Sequence, residues 1–462
     1  MENSMVMGLD IGSTWTKGAL FSFSTDGPAT LLTRLQIATP IENLYHGFSK
    51  IKKGLMCEVG TQPVPCYVTS SARGGLKVAA IGVVPDLTLS VAKQTVMNAG
   101  GKITASFSYK MTGFEKARLE EIQPDIIFLA GGTDGGNEAI ILHNAQQLAT
   151  LSSEGIILYA GNAKLQERVC RILNKKELRI TENIMPEVGT LNLEPAREAI
   201  RDLFLSRLID GKGLSVIQAE ITGEVRPTPR AMLDLVEAMD RYCPEMGEFC
   251  LLDPGGATTD VYSCAVGTPN ESGTILKGLT EPRIKRSVEG DLGLRVSAVP
   301  CVEAGNGYLA ERMQEMELSK QDLDDWVTKA TQHPEGLPET NEEKMADTLL
   351  AEVCVREAAG RHAGRMAETL TAQGKVILQR GKDLRSVRRV FLTGGYLSRL
   401  TEATLLHCAF NRLNTPLEEA PLWPAESEYY TDKDYLFPLL AAALPGNPKV
   451  CAATAIANAR PL

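Results

Sequence analysis

Short apolar runs broken by tight polar turns fill the first forty residues. VMGLDIG, TKGALFSF and ATLLTRLQIAT read as three strands of a meander over about residues 5–37. CYVTSSARGG adds a strand that ends at a Ser-Ser-Ala-Arg-Gly-Gly turn. LKVAAIGVVPDLT and KITASFSYK predict two more strands, flanking a helix near Leu89 to Ala99. DIIFLAGG, GIILYAGN and ELRITENI follow as short strands spaced by helical text such as AKLQERVCRIL. Strands alternating with helices predict a mostly parallel sheet and an α/β fold. ITGEVRPTPR, around Ile221 to Pro229, opens a new unit. From Met313 to Gln379 apolar residues recur at helical spacing, and His333–Pro338 breaks this stretch into two helical parts.

Two of the strand–turn–strand segments share a pattern. The first reads Asp10-x-Gly12-Ser13-Thr14-x-x-Lys17, the second Asp253-x-Gly255-Gly256-Ala257-Thr258-x-Asp260. In each an apolar strand meets an Asp, then a turn of glycine and hydroxyl residues, then a second strand. Glycine lets the main chain approach a ligand closely, so such turns can wrap phosphate oxygens with amides and hydroxyls. An Asp beside each turn supplies the hard oxygen that a hydrated Mg²⁺ requires. Two such loops facing one cleft would clamp a nucleotide.

RRVFLTGGYLSRL adds a strand feeding Thr393-Gly394-Gly395, where a ring or ribose could lie on bare backbone. Phe128-Leu129-Ala130-Gly131-Gly132 in the first half looks like Phe391-Leu392-Thr393-Gly394-Gly395 in the second, with the spacing from each loop differing by roughly 20 residues. The repeated order predicts an internal duplication, with halves at 1–220 and 221–462 and a helical insert at about 313–379.

In this order the three motifs resemble the actin-like ATPase superfamily, which includes actin, sugar kinases and the seventy-kilodalton heat-shock chaperones. The resemblance implies duplicated actin-like (ribonuclease H-like) α/β domains flanking a nucleotide cleft. It implies that ATP and Mg²⁺ are held by Asp10, Gly12, Ser13, Thr14, Lys17, Asp253, Gly255, Gly256, Ala257 and Thr258, with Thr393, Gly394 and Gly395 against adenosine. Asp10 and Asp253 would orient metal-bound water, and Thr258 or Asp260 would position the attacking water. Glu289 and Arg295 in VEGDLGLR are further candidates for the cleft wall. A kinase of this fold needs a general base, for which Asp134 and Asp291 are available; Asp134 equally suits a helix cap or turn. A nucleotide-switched scaffold is a third class.

Composition narrows the choice. The 462 residues carry 48 Lys+Arg against 57 Asp+Glu, a net charge of −9, so bulk charge favours neither nucleic acid nor an anionic membrane. No apolar run reaches the ~18 residues that span a bilayer, and the first apolar stretch holds the phosphate turn rather than a signal peptide. Ten cysteines without CxxC or zinc spacing suit free thiols in a reducing cytoplasm. Of the five histidines, His46, His143, His333, His362 and His407, none lies in an Asp-x-His-x-x-Gly loop of the cobalt-ligating kind.

At finer grain LDIGSTWTKGALF, VTSSARGGLKVAAIG, FLAGGTDGGNE, LLDPGGATTDVYS, VEGDLGLR and FLTGGYL together resemble the glutamate mutase accessory proteins, called GlmL or MutL. That resemblance implies a cytoplasmic ATPase accompanying an adenosylcobalamin-dependent amino-acid mutase, by analogy using ATP to release damaged cofactor from it.

Overall fold

The N-terminal apolar runs form the expected meander: β1 (Ser4–Ile11) pairs antiparallel with β2 (Trp15–Phe23), and β2 with β3 (Thr30–Ala38). β4 (Cys66–Ser70) lies parallel to β1 on its other side. Val6 to Ile11 are buried without alternation, as suits a central strand covered on both faces. This computed structural model describes residues 4–462 except 25–26, 41, 58–62, 72–75, 100, 210–213, 270–273, 279, 372–373, 412 and 414–420. The Ala72–Gly75 part of the SSARGG turn therefore lies outside the described residues.

Two units divide the chain: Met1–Gly74 with Ile209–Leu462, and Gly75–Leu208. The second unit holds β5 (Lys77–Gly82), β6 (Lys102–Ser108), β7 (Ile126–Gly131), β8 (Ile156–Gly161) and β9 (Leu178–Ile180), all parallel, in the order β6-β5-β7-β8-β9. Parallel neighbours need crossovers, and the helices Ser90–Asn98, Gly113–Ile122, Ala139–Ala149 and Gln166–Ile172 supply them. Ala79, Ile127, Leu129 and Ile157 pack with Ile141, Leu148 and Val169 in its core.

In the first unit β10 (Arg226–Pro227) adds parallel to β4. A second hairpin follows, β11 (Phe249–Pro254) with β12 (Thr259–Cys264). β13 (Thr274–Leu276) belongs to a small separate sheet, whereas β14 (Ile284–Glu289) pairs antiparallel with β12. β15 (Arg365–Thr371) and β16 (Gly374–Arg380) join β13. β17 (Arg389–Leu392) runs parallel to β11, β18 (Glu428–Asp432) parallel to β17, and β19 (Ala459–Pro461) closes the edge.

One plan thus appears twice. β1-β2-β3, then β4 and β10, corresponds to β11-β12-β14, then β17 and β18. This is the duplicated, actin-like α/β fold. The helices Thr228–Tyr242 and Phe437–Ala443 follow β10 and β18, and with Pro448–Asn458 they fill a core between the two sheets, where Leu235 and Met239 meet Leu440 and Ala452.

The repeat differs from the sequence reading in one respect. β7, which carries Phe128–Gly131, lies in the second unit; the strand standing beside β1 as β17 stands beside β11 is β4. Val68-Thr69-Ser70, not Leu129-Ala130-Gly131, is the counterpart of Leu392-Thr393-Gly394. Any buried parallel strand running into a diglycine turn yields the same short string, so likeness of text did not report position. Both hairpin sheets fall in one compact unit, and 75–208 forms the other.

The helical insertion is realised as Asn306–Glu315, Lys320–Gln332 and Asn341–His362, with the break at His333–Pro338 where expected. Thr340 and Glu343 restart the chain with a reciprocal capping box. Beyond His362 the helical reading fails: Ala363 is extended, and RMAETLT and GKVILQR pair as β15 and β16. Thr and Val positions at strand spacing outweigh the Ala and Glu that suggested helix.

Candidate functional site

Both hairpin loops close in the same register. Asp10 faces Lys17 across the first hairpin and Asp253 faces Asp260 across the second. The Gly12 amide donates to the Trp15 carbonyl at 3.1 Å, and the Gly255 amide to the Thr258 carbonyl at 2.8 Å. Lys17 and Asp260 therefore occupy equivalent places with opposite charge. The loops also meet: a Cβ built on Gly256 would lie 2.9 Å from Thr14 Oγ1, a buried hydroxyl without a hydrogen-bond partner.

Asp10 is 3% exposed, and its Oδ1 accepts from Thr69 Oγ1 at 3.1 Å and Thr228 Oγ1 at 2.6 Å. Thr69 comes from β4 and Thr228 from the start of the helix after β10, so two separate segments fix the carboxylate that β1 presents. Burial raises its pKa, and Lys17 opposes the rise. The Lys17 ammonium sits 3.7 Å from the centre of the Tyr435 ring, and burial pulls its pKa down to about 8 against the attraction of Asp10 and Asp253. Tyr435 holds φ at 53°, the left-handed region that bulky residues avoid.

Asp253 is the last residue but one of β11, and its carboxylate accepts no hydrogen bond from any described residue. Burial pushes its pKa up to about 7, and the nearby charges of Asp260, Asp10 and Asp432 push the same way. Asp260 is instead fixed: Arg286 donates to its Oδ1 from Nε at 2.7 Å, and Thr258 Oγ1 donates to Oδ2 at 3.4 Å. Asp432 ends β18 and caps the helix Phe437–Ala443, accepting from the amides of Leu436 and Phe437 and from Thr393 Oγ1. Burial pushes its pKa up to about 6.

Of Thr393, Gly394 and Gly395, Gly394 lies against the end of β11, where the second loop begins. A Cβ on Gly394 would fall 2.5 Å from the Pro254 carbonyl and 3.0 Å from Asp253 Oδ1, and its φ is 92°. Gly394→Ala is therefore expected to cost about 1–3 kcal/mol from backbone strain alone, read as a lowered melting temperature.

The second loop is clasped from behind. Gly255 and Gly256 carbonyls accept from the amides of Leu294 and Arg295, Ala257 from Ser297 Oγ at 2.7 Å, and Thr258 from Gly255. With its carbonyls engaged, the loop has the Gly256 and Ala257 amides left to offer to whatever it faces. Arg295 serves through its backbone; its guanidinium pairs with buried Asp347 at 2.6 Å and lies over Trp326. Glu289 and Asp291 both pair with Arg361.

The remaining candidates are engaged in local contacts. Asp134 Oδ1 accepts from the Ala163 amide and Asn183 Nδ2, within the second unit. His143 Nε2 bonds the Met111 carbonyl. The ten cysteines are free thiols, seven of them buried. Among the described residues no cluster of three or more His, Cys, Asp or Glu could hold a metal, and no helix is long and apolar enough to cross a membrane. Thr69, Thr228, Arg286, Asp432 and Tyr435 escaped the sequence reading. A Thr-Pro at a helix start and an Asp a few residues before an apolar helix were their only local signals.

The paired sheets and facing loops define a duplicated actin-like α/β protein. The sequence matches the model of the MutL protein family over residues 6–458, and it is 37% identical over 456 residues to the protein MutL of Clostridium tetanomorphum, covering 95% of this chain and 96% of that one. The chain belongs to the MutL family. Among solved structures it is similar in general outline to nucleotide-free acetone carboxylase (TM-score 0.41, 13% identity, 96% of this chain and 70% of that one). It is similar also to a ROK family glucokinase from Streptomyces griseus in complex with glucose and AMPPNP (TM-score 0.34, 10% identity, 98% and 99%).

Proposed function

We propose that the protein binds and hydrolyses Mg·ATP between its two hairpin loops, as the cytoplasmic accessory of an adenosylcobalamin-dependent amino-acid mutase such as glutamate mutase. The observation that carries the nucleotide reading is the meeting of Thr14 with Gly256 in two loops of one register, with Lys17, Asp10 and Asp253 beside them. The mutase partner rests on membership of the MutL family.

The acids suit a divalent cation. Asp253 has an open carboxylate crowded by Asp260, Asp10 and Asp432, with Lys17 the opposing cation nearby. Asp10 and Asp253 would hold a hydrated Mg²⁺, which when bound neutralises phosphate charge. Gly12-Ser13-Thr14 and Gly255-Gly256-Ala257-Thr258 would grip phosphates, Lys17 would countercharge them, Thr258 or Asp260 would position the attacking water, and Thr393-Gly394-Gly395 would lie against adenosine. A cation beside Asp253 lowers its pKa, so Mg·ATP binding near pH 7 is expected to release protons. Calorimetry in buffers of different ionisation enthalpy reads that release as a buffer-dependent heat.

The experiment is ATP turnover by the purified protein with and without an inactivated B12-dependent mutase, following phosphate release and recovery of mutase activity together. Turnover that rises with the mutase and restores it is the expected result. Phosphate appearing on a metabolite, with no response to the mutase, would make the protein a small-molecule kinase.

A further inference from the structure

Lys17 faces Asp10 across the first hairpin, yet its ammonium makes no ion pair and no hydrogen bond with any described residue. Asp10, Asp253 and Asp432 all attract it, and Arg34 on β3 repels it. A lysine is a point charge on a flexible four-carbon stem, so an unrestrained one closes on the nearest open carboxylate. Asp10 Oδ1 is already taken by Thr69 and Thr228, which leaves Asp253 as the open one. What the ammonium has instead is the face of Tyr435, 3.7 Å away at the ring centre. A ring face attracts a cation without neutralising it.

That ring is carried in from the other repeat. β18 ends at Asp432, whose carbonyl accepts from the Tyr435 amide at 2.9 Å. The Asp432 carboxylate accepts from the amides of Leu436 and Phe437 at 2.7 and 2.9 Å, from Thr393 Oγ1 at 2.9 Å and from Asn458 Nδ2 at 3.1 Å. The turn is therefore pinned, and Tyr435 leaves it at a φ of 53° that suits Gly or Asn and strains a tyrosine. Strain kept beside a candidate site points to a use for the side chain. The guanidinium of Arg34 lies 6.0 Å from the centre of the same ring, so one ring receives the only basic side chains of β2 and β3. The Tyr435 hydroxyl bonds to no described residue, which leaves the ring and not the phenol as the working part.

We propose that Tyr435 is a positioning residue for the nucleotide: its ring holds the Lys17 ammonium out of an ion pair with Asp253, leaving the ammonium for phosphate and the carboxylate for the metal cation. This rests on the reading of the two loops as a nucleotide site. Without the ring, Lys17 and Asp253 neutralise each other, and phosphate and cation each lose a charged partner.

Calorimetric titration of the full-length chain with Mg·AMPPNP tests it. Tyr435→Leu keeps the strained backbone and removes the ring, and affinity should fall at least tenfold. Tyr435→Phe keeps the ring and should hold affinity within threefold of the wild type. Tyr435→Asn also lacks the ring but is at ease at this φ, so it should lose affinity as Tyr435→Leu does even if the leucine variant folds poorly. Lys17→Met should itself weaken binding at least tenfold, and adding Tyr435→Leu to it should cost less than a further threefold, because the ring acts through the ammonium. A merely structural tyrosine would add its loss in full. Wild-type affinity in Lys17→Met or in both ring-free variants, a loss that Tyr435→Phe shares, or a further tenfold loss in the double variant overturns the role of Tyr435 and leaves the nucleotide site standing. No saturable binding by the wild type overturns the nucleotide reading and the positioning role with it.

Discussion

Asp253→Asn is expected to stop ATP turnover and, in the same protein, to raise the melting temperature of the nucleotide-free chain at pH 8. The catalytic half follows from losing a carboxylate placed to orient metal-bound water, a cost of order 3 kcal/mol or more in transition-state stabilisation, about a hundredfold in rate. The stability half follows from linkage. The Asp253 pKa rises from 3.8 unfolded to about 7 folded, so between those values the folded chain binds more protons than the unfolded one. Stability from this residue therefore falls as pH rises from 3.8 through 7, and at pH 8 the ionised carboxylate costs on the order of 2–4 kcal/mol. Asn carries no such charge. The gain should vanish near pH 4, where Asp253 is protonated in the folded chain. Asp10→Asn should abolish turnover alike but gain less stability, because Thr69 and Thr228 already satisfy that carboxylate. Wild-type turnover in both variants at saturating Mg·ATP would remove these residues from the mechanism. Lys17 acts in the opposite sense: its pKa falls to about 8, so its burial cost is present below pH 8 and relieved between there and 10.5.

Arg286→Met should be the most destabilising single change near the second loop, by about 3–5 kcal/mol. Arg286 is 1% exposed and donates to Asp260, itself 7% exposed. Removing the guanidinium strands a buried carboxylate directly across the hairpin from Asp253, where like charge already crowds. The double variant Arg286→Met with Asp260→Leu should recover most of the loss, since replacing a whole buried pair by apolar groups is far cheaper than breaking it. A double variant as unstable as the single one would assign Arg286 a packing role instead of an electrostatic one.

What the sequence disclosed was whatever its chemistry wrote contiguously. Asp10 to Lys17 and Asp253 to Asp260 were legible because strand, acid, glycine turn and second strand are adjacent in the chain and one hairpin contains them all. Thr228 and Asp432 were not, since each reaches the loops from the end of a parallel strand, and parallel pairing joins residues separated by long crossovers: Thr228 meets Asp10 across 218 positions. The diglycine after β7 misled for the converse reason, as a local string identical in chemistry sits in another sheet. Arg295, a candidate for the cleft wall, reaches the loop through its backbone amide while its side chain turns to Asp347 on a distant helix, which no local pattern signals.

If the two facing hairpin loops form one nucleotide site, each chain binds a single nucleotide between them. Titration of the chain with Mg·AMPPNP by calorimetry tests it most directly, in the wild type and in Gly256→Val, whose side chain would be driven into Thr14. One saturable site per chain that requires Mg²⁺ and is lost in Gly256→Val is the predicted result. Full-affinity binding in Gly256→Val, or no saturable binding by the wild type, would contradict it.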